Sequence, residues 1–321
     1  MMSRDYNNIL QLINSQKDNF PLDQSFYVDK KIYELDLEIF FYNQWIFVGH
    51  QSRIPNKGDY FIFSIGNESI IIIRESESQI NCFYNVCRHR GSQICLKTEG
   101  NSKKLVCPYH AWTYNLDGKL KNARMMHEDF DKKKWSLIKC NSKVFQGLIF
   151  LNFSEQPDDF KEFIKPLKPF IELHGLKNAK IATKKVYPTN GNWKLTLDNF
   201  HECYHCLPSH PEYCQVHSKE YIQAYGAGNN TGPQSKVFNK KLDEWNNKTK
   251  ELGYLTGEFS EINFSNFFRS AERTPFDNNR LSETKSGKPA STLMGNFKNF
   301  DGGYTTIGTS PFNSLIMSND F

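Results

Sequence analysis

Two short segments each place one thiolate and one imidazole side by side in the sequence: Cys87-Arg88-His89 and Cys107-Pro108-Tyr109-His110. An asymmetrically held [2Fe-2S] cluster needs this set, with two cysteine sulfurs on one iron and two histidine nitrogens on the other. That ligation raises its potential above that of an all-cysteine cluster. A structural zinc site uses the same ligand types, but it pairs Cys with Cys and His with His along the chain, and here each pair is mixed. The expected chemistry is one-electron transfer.

Further along, Glu202, His205 and His210 stand in an E-x2-H-x4-H spacing. Two histidines and one carboxylate make the facial triad of non-heme iron, which leaves adjacent positions open for dioxygen and substrate. On an unbroken helix His205 and His210 would point about 140° apart, so the helix must break between them. Pro208 is expected to break it by forcing Leu207 out of the α region, while Glu202 and His205 share one helix face. Three other chemistries use parts of this segment. Glu202-x-x-His205 is half of a di-iron carboxylate motif, whose second half the sequence lacks. Cys203-x-x-Cys206 has dithiol spacing, but it sits inside a helical pattern rather than after a strand. The third is a helix with incidental histidines.

The surroundings of these residues carry a resemblance. Arg90-Gly91 follows the first pair and Ala111-Trp112-Thr113-Tyr114 the second, and Asn192-Trp193-Lys194 precedes the histidines. Ser25-Phe26-Tyr27-Val28-Asp29 and Trp45-Ile46-Phe47-Val48-Gly49-His50 open the chain, and Asp301-Gly302-Gly303-Tyr304-Thr305, Pro311-Phe312-Asn313 and Ser318-Asn319-Asp320 close it. Together they resemble the α subunits of Rieske non-heme iron oxygenases, the ring-hydroxylating family, in the branch that includes glycine betaine and carnitine oxygenases. The resemblance implies a Rieske cluster on Cys87, His89, Cys107 and His110, and a mononuclear Fe(II) on His205, His210 and Asp320. It implies a homotrimer in which Glu202 bridges the cluster of one subunit and the iron of the next. It also implies a separate ferredoxin or flavin reductase delivering electrons from NAD(P)H, with O2 and a small-molecule substrate as co-reactants. The reaction it implies is hydroxylation of a C–H bond, foremost an N-methyl of a quaternary ammonium compound, whose carbinolamine would collapse to formaldehyde. Arene hydroxylation, or a Rieske electron carrier with no chemistry of its own, are the alternatives.

From the residues alone Asp320 is supported by residues 314–317, which read as a short buried strand carrying it inward, whereas Asp301 sits in a Gly-rich turn suited to a hairpin. Gly91 frees one ligand loop and Pro108 stiffens the other. Tyr109 and Trp112 either shield the cluster and donate hydrogen bonds to it or pack as ordinary core. Tyr204, Tyr213 and the Phe264–Phe268 cluster offer aromatic faces for a cationic head group, with core packing as the other use.

The elements that must position these residues read as an α+β chain. An N-terminal helical segment, residues 1–44, is expected to pack on the catalytic domain. Residues 45–155 form an antiparallel-β Rieske domain, with strands at 60–65 and 69–74 around Gly66-Asn67, at 80–86 before Cys87, and a closing stretch at 144–152. Residues 156–321 form a catalytic domain with a helix-grip (START-like) antiparallel sheet. Residues 158–174 are helical apart from Pro166 and Pro169, and 179–187 read as a strand before the iron helix. Residues 217–300 are polar and carry little readable pattern. The sequence stops one residue after Asp320, so this domain is expected to be incomplete at its C-terminus.

With 321 residues, 38% hydrophobic content and a mean hydropathy of −0.62, the chain can bury one large or two moderate cores. It offers no run near the roughly 18 apolar residues of a membrane span. No signal peptide is readable at the N-terminus, and the six cysteines outside the ligand pairs fit reduced thiols in a cytoplasm. A net charge of +5 suits an acidic redox partner. Nucleic acid is not an expected partner, since no basic array is interleaved with aromatics.

Overall fold

The computed structural model describes residues 2–18, 20–224, 232–263, 267–309 and 313–321. The chain divides into two compact units: Asn43–Ile164 with Gly175–Lys184, and Met1–Tyr42 with Lys165–His174 and Lys185–Phe321.

The first unit is built from antiparallel strands. β1 (Ile46–His50), β10 (Leu148–Asn152) and β9 (Asn141–Phe145) form one sheet in the order β1-β10-β9. β2 (Asp59–Ile65), β3 (Glu68–Arg74), β4 (Ile80–Tyr84) and β5 (Glu99–Asn101) form a second, in the order β4-β3-β2-β5. β6 (Leu105–Val106), β7 (Thr113–Tyr114) and β8 (Leu120–Asn122) form a third. The run Ile70-Ile71-Ile72-Ile73 in β3 is wholly buried, and its period of two feeds two cores. Ile70 and Ile72 pack with Phe61, Ile149 and Leu151, while Ile71 and Ile73 pack with Trp112, Tyr114, Cys87 and Cys107. The second core therefore anchors both ligand loops. Residues 144–152, expected as one stretch, instead belong to a hairpin. Gln146 (φ 49) and Gly147 (φ 81) take the left-handed conformations that a tight turn between β9 and β10 requires.

The second unit holds the sheet β11 (Gly257–Asn263), β12 (Phe267–Pro275), β13 (Gly303–Thr309) and β14 (Asn313–Met317), paired antiparallel in that order. Arg273 stands opposite Thr305, and Thr274 opposite Tyr304, so successive residues face opposite sides. On one side Arg273 forms a fully buried ion pair with Asp301 at 2.8 Å and bonds Thr305 Oγ1 at 3.1 Å. The 19-residue helix Pro233–Glu251 reaches this ion pair through Trp245, whose Nε1 donates to the Asp301 carbonyl at 2.6 Å. Asp301 is thus the counter-ion of Arg273 and not the tip of a hairpin.

The N-terminal segment grips the helix Trp193–His201 that leads into the histidines. Asp29 caps the helix Lys30–Asp36 by accepting from the Lys31 and Ile32 amides, and Asp36 pairs with Lys194 and accepts from Trp193 Nε1. Tyr27 donates to Asp198 at 2.7 Å. Helical residues 158–174 resolve into Phe160–Ile164 and Lys168–His174, with Pro166 in the gap. Residues 179–187 do not form a strand: their alternation of side chains finds no paired neighbour among the described residues, and Val186 and Tyr187 are exposed. No described helix is long and apolar enough to cross a membrane.

Candidate metal centres

The two cysteine–histidine loops are built alike. The Cys87 carbonyl accepts from the Gly91 amide at 3.0 Å, and the Cys87 amide donates to the Ser92 carbonyl at 2.8 Å. Four and five residues after Cys107 the pattern repeats, with Ala111 N–H to the Cys107 carbonyl at 3.0 Å and Cys107 N–H to the Trp112 carbonyl at 2.9 Å. Gly91 (φ 75) and Ala111 (φ 59) occupy equivalent left-handed positions. The loop around Cys87 is tied down by buried Asn85, whose side chain accepts from the Ile94 and Cys95 amides.

Both cysteines lie buried beneath the loops, and the two imidazoles meet with ring centroids 4.6 Å apart. Trp112 stacks on His89 at 4.8 Å, and Tyr109, 61% exposed, lies against His110 at 3.8 Å. Tyr114, fully buried, places its hydroxyl 3.3 Å from Cys87 Sγ, a contact the sequence did not single out. Burial, then the neighbouring His110 and Arg90, hold His89 below the usual imidazole range, so the neutral form that a metal ligand needs is favoured. His89 Nδ1 is buried without a hydrogen-bond partner among the described residues, an unmet nitrogen that a metal would satisfy. Two thiols, two adjoining imidazoles and an unpaired ring nitrogen fit a [2Fe-2S] cluster.

The second centre starts where the helix Trp193–His201 stops. Glu202 is extended (φ −119, ψ 131), a one-turn helix Cys206–Ser209 follows, and Pro211–Val216 begins the next helix. Pro208 does not make the break. It falls in the first turn of Cys206–Ser209, where its missing N–H has no acceptor to lose, and Leu207 stays helical. The breaks flank the histidines instead: Glu202 leaves the helix before His205, and His210 (φ −133, ψ 59) leaves it before Pro211. His205 and His210 rings come to 5.3 Å, nearly perpendicular. Glu202 does reach His205, though from outside any helix. Its Oε1 pairs with His205 Nδ1 at 2.7 Å, and its Oε2 accepts from the Tyr204 amide at 2.7 Å and the His205 amide at 3.3 Å. The His205 bond, aided by those amides, holds the Glu202 carboxyl below its ordinary range.

Asp320 is not gathered with them. Its Oδ1 accepts from Ser318 Oγ at 2.6 Å and Ser282 Oγ at 2.9 Å, and its Oδ2 from the Ala290 amide at 2.7 Å. Among the described residues no three His, Cys, Asp or Glu side chains converge as ligands of one ion. The structure thus assembles two imidazoles for a mononuclear iron and leaves the expected third ligand hydrogen-bonded elsewhere.

Comparison with known proteins covers the segments that hold both pairs of residues. Residues 44–141 match the Rieske [2Fe-2S] domain, and residues 176–273 match the catalytic domain of the ring-hydroxylating α subunit. The glycine betaine monooxygenase oxygenase subunit of Pseudomonas aeruginosa is 35% identical over 303 residues, covering 92% of this chain and 67% of the relative. The chain belongs to the Rieske oxygenase α-subunit family. A carnitine monooxygenase oxygenase subunit from Acinetobacter pittii is 37% identical over 195 residues, 59% of this chain and 52% of that protein. A solved quaternary ammonium Rieske monooxygenase superposes with a TM-score of 0.63 at 25% identity, covering 92% of this chain and 67% of its own. Naphthalene 1,2-dioxygenase from Rhodococcus, at 19% identity, shares the fold with a TM-score of 0.59, covering 99% and 77%. The chain spans about two thirds of the length of the glycine betaine relatives that match nearly all of it. The mixed helix and antiparallel-sheet architecture expected from the sequence is the one these relatives share.

Proposed function

We propose that this protein is the terminal oxygenase of a multicomponent system. It takes electrons at the Cys87/His89/Cys107/His110 centre and uses them at an iron held by His205, His210 and Asp320, oxidising an N-methyl group of a quaternary ammonium compound. The observation that carries this reading is the presence in one chain of twin cysteine–histidine loops and a separate two-histidine turn braced by Glu202. The identity to a glycine betaine monooxygenase oxygenase subunit supports the substrate class.

When bound, the cluster passes single electrons and the ferrous iron supplies dioxygen activation. The chain's own side chains set the conditions. Toward a metal-bound thiolate the Tyr114 phenol is the donor, and it draws charge from Cys87 Sγ, which raises the potential. Trp112 covers His89 and keeps water from that ring. Glu202 accepts a hydrogen bond from His205 Nδ1–H, which fixes the tautomer and would leave Nε2 free to hold the iron. Asp320 would supply the carboxylate ligand in place of its present bonds to Ala290, Ser282 and Ser318.

Inter-subunit electron transfer is described for the quaternary ammonium relative. For this protein the proposed assembly is a homotrimer in which Glu202 bridges one subunit's cluster and its neighbour's iron. A ferredoxin or flavin reductase fed by NAD(P)H is the proposed donor, and the cytoplasm the proposed compartment. The test supplies purified protein with a surrogate reductase, NADH and O2, plus glycine betaine, carnitine or benzene. Formaldehyde in proportion to NADH consumed is expected from the methylammonium compounds. A diol from benzene with no formaldehyde would make the protein an arene oxygenase, and no product from any substrate would leave it an electron carrier.

A further inference from the structure

Glu272 sits in the middle of β12, opposite Thr306, on the sheet face that carries Thr274 and Tyr304. Arg269 and Arg273, at odd positions of the same strand, belong to the other face. Among the described residues the half-buried Glu272 carboxylate makes a single hydrogen bond, from the Tyr221 hydroxyl at 3.3 Å, and pairs with no cation. A carboxylate drawn out of water is ordinarily paired or saturated with donors, and this one is neither. Burial accordingly pushes its pKa up, and Glu258 adds to the rise.

Aromatic rings cluster around it: Tyr221 bonds it, and Tyr304 lies diagonally across on the same sheet face. Tyr213 and Tyr221 pack in one cluster with Cys203 and Cys206, the residues on either side of the Tyr204-His205 pair. Tyr213 stacks on His217 at 3.9 Å, and His217 meets Tyr304 edge-on at 4.6 Å. His217 Nδ1 is buried without a partner among the described residues, a second unmet polar group in the same layer. Burial raises the pKa of Tyr213, Tyr221 and Tyr304, and the Glu272 charge contributes to all three shifts. The phenols are therefore neutral rings close to the Glu272 carboxylate, while a second carboxylate, Glu283, is taken up by His217 Nε2 at 3.1 Å. A tetraalkylammonium has no N–H to donate, so it is recognised by π faces and by charge at a distance. A neutral arene would leave the carboxylate uncompensated.

We propose that Glu272, walled by Tyr213, Tyr221 and Tyr304, is the subsite that receives the trimethylammonium head of the substrate beside the His205 turn. The assignment deepens the oxygenase reading given above and rests on it for the position of the reacting centre. It relocates the cage expected from the sequence. Tyr204 is 84% exposed and lies outside it, Tyr213 stays within it, and Phe264 lies outside the described residues.

The experiment compares the binding of glycine betaine with that of 3,3-dimethylbutanoate, in which carbon replaces the charged nitrogen at the same shape, by calorimetry on the metal-loaded protein. Wild type should prefer glycine betaine by about tenfold or more, and Glu272→Gln should erase the preference while the cluster spectrum is unchanged. Should that variant fail to fold, Tyr221→Leu, which removes one ring and keeps the carboxylate, should cut the preference about threefold or more. A wild type without preference, or a preference untouched by these substitutions, overturns the assignment. Formaldehyde release is scored in parallel. Formaldehyde with a preference that survives Glu272→Gln sinks the subsite and leaves the oxygenase standing. A Glu272-dependent preference without formaldehyde upholds the subsite and sinks the reaction.

Discussion

His174 is fully buried behind the catalytic sheet, its Nε2 2.7 Å from Thr305 Oγ1. Burial, reinforced by the Arg273 charge, holds its pKa down to about 3. Between that value and the ordinary imidazole value near 6.5, the unfolded chain takes up a proton that the folded chain refuses. The stabilisation is therefore complete above about pH 6.5 and is lost as pH falls through the window. Denaturant melts at pH 7 and pH 5 should show wild type losing about 2 kcal/mol more than His174→Gln, and equal losses would contradict this. Asp320 poses the sharper question at this scale, because Ser282, Ser318 and Ala290 already engage both of its oxygens. As the proposed carboxylate ligand, Asp320→Ala should lose the mononuclear iron while the visible spectrum of the cluster persists. Unchanged iron content would assign Asp320 to the serine network alone.

At the scale of elements, left-handed glycines separate backbone cost from packing cost. A Cβ on Gly91 (φ 75) meets nothing within 4 Å, so Gly91→Ala should cost only the conformational penalty of about 1 kcal/mol. A Cβ on Gly118 (φ 84) would lie 2.4 Å from the Phe83 ring, so Gly118→Ala should be distinctly more destabilising. Thermal melts of both variants check the order, and a reversal would refute it. The mixed cysteine–histidine pairs were legible in the sequence because ligand chemistry is written in residue types. The twin build of their loops was not, since Ala111 carries no signal that it stands where Gly91 stands. Pro208 misled because a proline breaks a helix only beyond its first turn, and the consequential one was Pro211. Residues 179–187 alternate like a strand, yet alternation supplies no partner. Glu272 was one acid among 35, on a strand inside a stretch without readable period, and its isolation from cations is a property of pairing across the sheet.

For the whole molecule, each compact unit carries one of the two centres: Cys87, His89, Cys107 and His110 lie in the first, and His205 and His210 in the second. A carrier would need only the first, whereas an oxygenase needs both. The most direct measurement is the iron and acid-labile sulfide content of the purified protein, wild type beside a His205→Ala/His210→Ala double variant. About three iron atoms and two sulfides per chain are predicted for wild type, falling to about two and two in the variant with the cluster spectrum intact. Two irons and two sulfides in both proteins, or stoichiometric zinc in a colourless preparation, would contradict the account.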